Sequence, residues 1–288
     1  MYFSLYKQLP KRLAYICGAS GGNLPGVEID IHRVASFISL PFGGAFDANE
    51  IAYYPNVVKE PLTAALELRI QRKEHYDFLF FYFSGHGMTY KGNNQPYIAV
   101  PNVSGANDYV PVGQIGGYAK QLASKSILVF DCCRTIAQYP GSALGDRNDL
   151  LREALKKSPL DRPTSKKFFM QQLNKCPDGS LILYSCNIDE YSGDGQQGGL
   201  YTSHLLDEIY EWILSPSGNH VDILTAGRTF NAPMSFYDLQ GEFHTQHPQR
   251  YSFVGQSTNE YVKDNRSEML NLPFAVKSRR YFTQGRSR

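Results

Sequence analysis

Two short apolar runs that stop at reactive residues constrain this chain more than any other feature. The first is Tyr76-Asp77-Phe78-Leu79-Phe80-Phe81-Tyr82-Phe83, and it ends in Ser84-Gly85-His86-Gly87. The second is Ser126-Ile127-Leu128-Val129-Phe130, and it ends in Asp131-Cys132-Cys133-Arg134. Both are aromatic or β-branched and bounded by turn-prone or reactive residues, so both read as buried strands. In an open α/β sheet, ligands sit beyond the carboxyl ends of such strands. An imidazole and a thiol are therefore offered at one edge of one sheet. A thiol at neutral pH is mostly protonated, and a neighbouring imidazole can supply the thiolate that attacks a carbonyl.

The rest of the chain alternates in the same way. Residues 13–18, 51–54, 181–186 and 250–254 read as further strands. Residues 95–101 suggest a hairpin arm. Helical spacing of apolar residues marks 25–40 and 200–214, the latter with Leu205, Leu206, Ile209, Trp212 and Ile213 on one stripe, and 60–72 reads as a helix with Pro61 in its first turn. Residues 111–124 also look helical, weakened by Gly116-Gly117, and 148–157 form a polar, helix-prone stretch. Alternating strands and helices predict a mostly parallel sheet covered on both faces. Two segments look loop-rich: 135–179, with a single helix inside it, and 215–249. Long loops in such a domain are often functional.

Several function classes are disfavoured. The formal net charge is +2, so no nucleic-acid partner is expected; the basic residues of the 277–288 tail read as a solvated terminus. The five cysteines are odd in number and irregular in spacing, which fits neither a disulfide framework nor a zinc site and suggests a cytoplasmic protein. Residues 1–7 lack the apolar core of a signal peptide, and no apolar run is long enough for a membrane span. The glycines from Gly18 to Gly22 lack the Gly-Lys-Ser/Thr ending of a phosphate loop, and no acidic cluster has calcium-ligand spacing, so no cofactor or metal is expected.

His86 precedes Cys133 by about 50 residues, the order and separation found in caspases. With that pair the chain resembles the caspases and, more closely, their caspase-like and metacaspase relatives. Tyr82-Phe83-Ser84-Gly85-His86-Gly87 looks like the family's histidine strand end, and Val129-Phe130-Asp131-Cys132-Cys133-Arg134 like its nucleophile strand end. Leu24-Pro25-Gly26-Val27-Glu28-Ile29-Asp30 resembles the first-helix motif. Gly199-Leu200-Tyr201-Thr202-Ser203, Gln246-His247-Pro248-Gln249 and Leu272-Pro273-Phe274 match later landmarks, so the likeness runs from about Leu13 to Phe274.

The resemblance implies a caspase-like three-layer α/β sandwich with a six-stranded, mostly parallel central sheet. It implies one peptidase domain over 1–288: a large-subunit-like part at about 11–140, an intersubunit-like loop at 141–179, a small-subunit-like part at 180–276 and the tail. It also implies a cysteine endopeptidase acting on protein substrates through an acyl-enzyme. Cys133 would attack the scissile carbonyl, His86 would serve as general base and acid, and the N–H groups of Gly87 and Cys133 would hold the oxyanion. Asp30 and Asp131 fall where metacaspases place the acids that bind a substrate arginine or lysine, and paired carboxylates suit such cations. Adjacent strand residues face opposite sides, so Cys132 is expected beneath the sheet. With an acidic substrate pocket, lysines and arginines between 147 and 167 make self-cleavage of the intersubunit-like loop chemically feasible; an ordinary charged surface loop is the equal alternative.

The chain also departs from the pattern. Thr135 stands where relatives carry glycine or a Ser-Gly pair. That motivates a catalytically silent, partner-binding module as an alternative; cleavage after aspartate and a thiol hydrolase for small amides are the others. With no added recruitment segment, activation is left to a separate regulatory chain or to the enzyme's own loops.

Overall fold

A computed structural model describes residues 11–21, 24–90, 92, 94–102, 104–134, 148–157, 161–215, 222–237, 240–254, 270 and 272–277. Thr135 and the basic tail beyond Lys277 lie outside the described residues. The elements run β1 (Arg12–Ala19), α1 (Gly26–Ser39), β2 (Ile51–Tyr54), α2 (Lys59–Gln71), β3 (Phe78–Gly85), β4 (Gly87–Tyr90), β5 (Gln95–Pro101), β6 (Asn107–Pro111), α3 (Val112–Leu122) and β7 (Lys125–Cys132). They continue with α4 (Asn148–Lys157), α5 (Arg162–Lys175), β8 (Gly179–Tyr184), α6 (Leu200–Leu214), β9 (Asp222–Thr225), β10 (Met234–Tyr237), β11 (Phe243–Gln246), β12 (Gln249–Val254) and β13 (Pro273–Lys277).

The central sheet has six strands in the order β12-β8-β7-β3-β1-β2. All neighbours are parallel except β12, which runs antiparallel along β8 at the edge. After β1 the chain adds β2 on one side and then crosses to β3 on the other. The carboxyl ends of β1 and β3 are therefore a topological switch point, where such sheets open a crevice.

Strand periodicity sorts the core into two layers. Phe78, Phe80 and Tyr82 of β3 and Ile127 and Val129 of β7 pack with α1, α5 and α6 on one face. Leu79, Phe81 and Phe83 of β3 and Leu128, Phe130 and Cys132 of β7 pack with α2 and α3 on the other. Both strands are buried along nearly their whole length, which is why their sequences read as continuous apolar runs. The expected α/β sandwich is thus present, with helices on both faces.

Helix α3 forms despite Gly116 and Gly117. Both point into open space, while Val112, Ile115, Ala119 and Leu122 make the buried stripe. Two expectations need correction. The described residues of 135–179 contain two helices rather than one: α5 is capped by Asp161, whose side chain accepts from the Thr164 N–H, and it buries Phe169, Met170 and Leu173. Residues 215–249 carry β9 and the β10–β11 hairpin, which is anchored in the core by Met234 and Phe236.

Candidate functional site

The register of β3 against β7 builds the site. Ser84 pairs with Asp131 and Gly85 with Cys132, so His86 and Cys133 leave neighbouring strand ends at the same level. His86 is half-buried, and its carbonyl accepts from the Ala99 N–H at 2.9 Å, which ties the exit from β3 to β5. Gly87 then starts β4. A methyl group added there would lie 2.6 Å from the Cys132 Sγ and 2.6 Å from the Cys133 carbonyl oxygen, so only glycine permits this approach of the two segments.

Cys132 is 4% exposed and packs with the α2/α3 layer, as alternation along β7 requires. Its backbone N–H donates to Ser185 Oγ at 3.2 Å, and that hydroxyl donates back to the Cys132 carbonyl. Cys133 is the more exposed thiol. Its Sγ accepts from the Ser192 N–H at 3.3 Å and faces the Ser192 carbonyl at 3.6 Å. Burial pushes this thiol up to about 11, against the opposing pull of the Ser192 N–H. Burial also lowers His86. The thiol and the imidazole are therefore both neutral at rest.

Beside Cys133 three carboxylates gather, drawn from three distant parts of the chain. Asp30 comes from α1 and is fully buried; it accepts from Ser84 Oγ at 2.9 Å and from the Gly199 N–H at 2.8 Å. Asp131, from β7, accepts from Ser192 Oγ at 2.8 Å, from the Thr202 N–H at 3.0 Å and from the Thr202 hydroxyl at 2.6 Å. Asp194 accepts from the Gly26 N–H at 3.3 Å. Gly199 lets the carboxylates close up: a methyl there would sit 2.5 Å from an Asp131 oxygen and 2.8 Å from an Asp30 oxygen. Burial first, and then mutual repulsion, raises Asp30; burial raises Asp131, and takes Asp194 to about 7.

These groups line one pocket together with Cys133, Ser192, Gly193 and Gly199. Its free volume is about 20 Å³, room for little more than a water molecule. The segment that narrows it, residues 192–199, is pinned by Gln246, which is fully buried. Its Oε1 accepts from the Gly193 N–H at 2.8 Å, and its Nε2 donates to the Ser185 carbonyl at 3.1 Å. Arg33 adds a bond to the Gln197 carbonyl at 2.6 Å.

Of the sequence-predicted residues, His86, Gly87, Cys133, Asp30 and Asp131 all fall at this one rim. Ser192, Asp194 and Gln246 had not been singled out as site residues. Ser192 and Asp194 sit in a loop with no periodic signal, and their partners are remote in sequence. Among the described residues, no group of three or more His, Cys, Asp or Glu is arranged to hold a metal ion, and no helix is long and apolar enough to cross a membrane.

A structural-genomics target protein of Geobacter sulfurreducens aligns at 13% identity and a TM-score of 0.44, over 72% of this chain and 85% of that one. Caspase-1 of Spodoptera frugiperda aligns at 11% identity and a TM-score of 0.44, over 71% of each chain. No curated protein matches the sequence. The family model described as the caspase domain matches residues 11–254, most of the length, and the chain therefore belongs to the caspase-domain family of peptidases.

Proposed function

We propose that this chain is a cysteine endopeptidase that cuts proteins after arginine or lysine through an acyl-enzyme on Cys133. The observation that carries the reading is the meeting of two features at one rim. The strand register levels Gly85 with Cys132, so His86 and Cys133 follow at neighbouring strand ends, and the pocket that Cys133 lines is floored by Asp30, Asp131 and Asp194. A guanidinium or ammonium is the side chain that two buried carboxylates and a half-buried third select; an aspartate would be repelled.

In this reading, substrate entry brings His86 and the thiol into register and the imidazole takes the thiol proton. The thiolate attacks the scissile carbonyl, and the N–H groups of Gly87 and Cys133 stabilise the oxyanion. His86 then gives its proton to the leaving amine, and water hydrolyses the thioester. Oxyanion donors are typically worth about 3 kcal/mol each. The pocket as it stands cannot admit an arginine side chain, so residues 192–199 must shift for substrate to bind. The narrow pocket and neutral thiol describe a resting enzyme whose loops restrain it. Residues 11–140 and 180–276 supply the two halves of the site, as large- and small-subunit-like parts of one domain.

Peptide-aminocoumarin libraries test the proposal. Dye release with arginine or lysine at P1, absent in Cys133→Ala, is expected. Release only after aspartate would overturn the specificity. Hydrolysis undiminished in Cys133→Ala would overturn the mechanism.

A further inference from the structure

Arg134 follows Cys133 directly, yet its side chain serves a different cavity. The residue is 3% exposed. Its guanidinium stacks on Tyr184, 4.5 Å from the ring centre. Among the described residues, its Nε and Nη1 have no hydrogen-bond partner. A ring face meets the charge from one side only and leaves the Nε and Nη1 donors unanswered. Buried guanidinium groups are normally answered by an oxyanion that the fork grips with two parallel bonds.

Arg134 also lines a cavity of about 420 Å³, within the range of small-molecule sites. Tyr184, Tyr251 and Ile188 supply apolar wall, and Asn94 and Gln95 supply amides. The Tyr184 and Tyr251 rings stand edge to face, with centroids 5.7 Å apart. This cavity shares no lining residue with the carboxylate pocket. Its charge is also opposite: the carboxylate pocket is acidic, whereas among the described residues that line this cavity the ionic group is a cation.

We propose that this cavity binds a small aromatic oxyanion, a carboxylate or phosphate carried on a flat ring. Arg134 takes the charge, the two tyrosines flank the ring, and Asn94 and Gln95 bond to its polar edge. The small-molecule-sized volume and the two ring walls favour a free small molecule over an extended peptide.

The test is calorimetric titration of the full chain, repeated in Cys133→Ala so that binding is read without hydrolysis. The probes are phenyl phosphate and benzoate, which separate the two oxyanions, with benzamide as the neutral isostere. Saturable binding of at least one oxyanion, absent for benzamide and about tenfold or more weaker in Arg134→Met, is expected. Arg134→Lys keeps the charge without the fork and should fall between. Should Arg134→Met not fold, Tyr251→Leu and Gln95→Leu test the same cavity from its rim, and each should weaken binding. The proposal is overturned by no saturable binding at millimolar probe, or by affinity unchanged across these variants. It is also overturned by tighter binding of a short glutamate-containing peptide, which would assign the cavity to a protein's acidic side chain. None of these readouts depends on peptidase activity, so the cavity and the catalytic reading stand or fall separately.

Discussion

Thr202 donates twice to one oxygen of Asp131, from its backbone N–H at 3.0 Å and from its hydroxyl at 2.6 Å. Asp131 is the penultimate residue of β7, two positions before Cys133, and Thr202 lies in the first turn of α6. Helix α6 starts at Gly199 with no side-chain cap of its own. Its free N–H groups are met instead by Asp131 and by Asp30, which takes the Gly199 N–H. Two carboxylates at a helix N-terminus are favoured by the aligned peptide dipoles. The acids that floor the pocket thus also fasten α6 to the sheet.

Removing one of them should therefore affect stability as well as catalysis. Asp131→Ala leaves the Thr202 N–H, its hydroxyl and Ser192 Oγ without their acceptor. A loss of about 2–3 kcal/mol is expected in urea unfolding. Asp131→Asn keeps one acceptor oxygen and should lose less. An alanine variant as stable as the parent would show that the contact contributes nothing to the fold.

The two thiols should separate cleanly. Cys133→Ala is expected to lower kcat/KM for an arginine substrate by about four orders of magnitude or more. Cys132→Ala should keep most activity and cost about 1 kcal/mol of packing, because its sulfur belongs to the α2/α3 layer. Substrate assays and thermal melts on the two variants check this. A dead Cys132→Ala that folds normally would contradict the assignment.

The resting thiol should react slowly. With Cys133 held near 11 by burial, only about one molecule in ten thousand carries the thiolate at pH 7. Alkylation of Cys133 by iodoacetamide, followed by mass spectrometry, should rise about tenfold per pH unit through the neutral range. A plateau near neutral pH would mean that a thiolate–imidazolium pair already exists in the free enzyme.

Gly87 should tolerate no side chain. The methyl of Gly87→Ala would meet the Cys132 sulfur and the Cys133 carbonyl. The two strand ends must part by some tenths of an ångström, and the expected oxyanion donors part with them. A fall in kcat of about a hundredfold is expected, with KM much less affected. An unchanged kcat would remove Gly87 from the catalytic geometry.

How much of this was legible in the sequence depends on the range of the contacts involved. β3, β7 and α6 were plain because each carries its own buried pattern over many residues. The β10–β11 hairpin was not, since its apolar core contacts come from Met234 and Phe236, its other buried residue is the polar Gln246, and such short strands leave little periodicity. Helix α5 did carry a start signal, Asp161 followed by Pro163, but its lysines and glutamines diluted the apolar stripe. At the site, His86 and Cys133 announced themselves by chemistry at strand ends. Asp194 did not: its partner Gly26 is 168 positions away, and a loop acid has no pattern until the fold brings that partner to it.

Asp194 provides the pH dependence. Its carboxyl is raised from 3.8 to about 7 by burial first, with Asp131 adding repulsion. The folded chain therefore holds a proton that the unfolded chain has released across that window. Stability from this group is fully present below the unfolded value and is lost as pH climbs toward 7. Replacing the acid with a neutral isostere removes the loss. Asp194→Asn should accordingly gain melting temperature relative to the parent as pH rises from about 4 to 7, and the difference should level off above that. The same ionisation supplies negative charge to the pocket, so cleavage after arginine by the parent should increase over the upper part of the window while that of Asp194→Asn stays flatter. Parallel melting curves for the two proteins at every pH would show that the carboxyl titrates alike in the folded and unfolded chains. The solvent-shielded acid in the pocket would then have to be Asp30 or Asp131 alone.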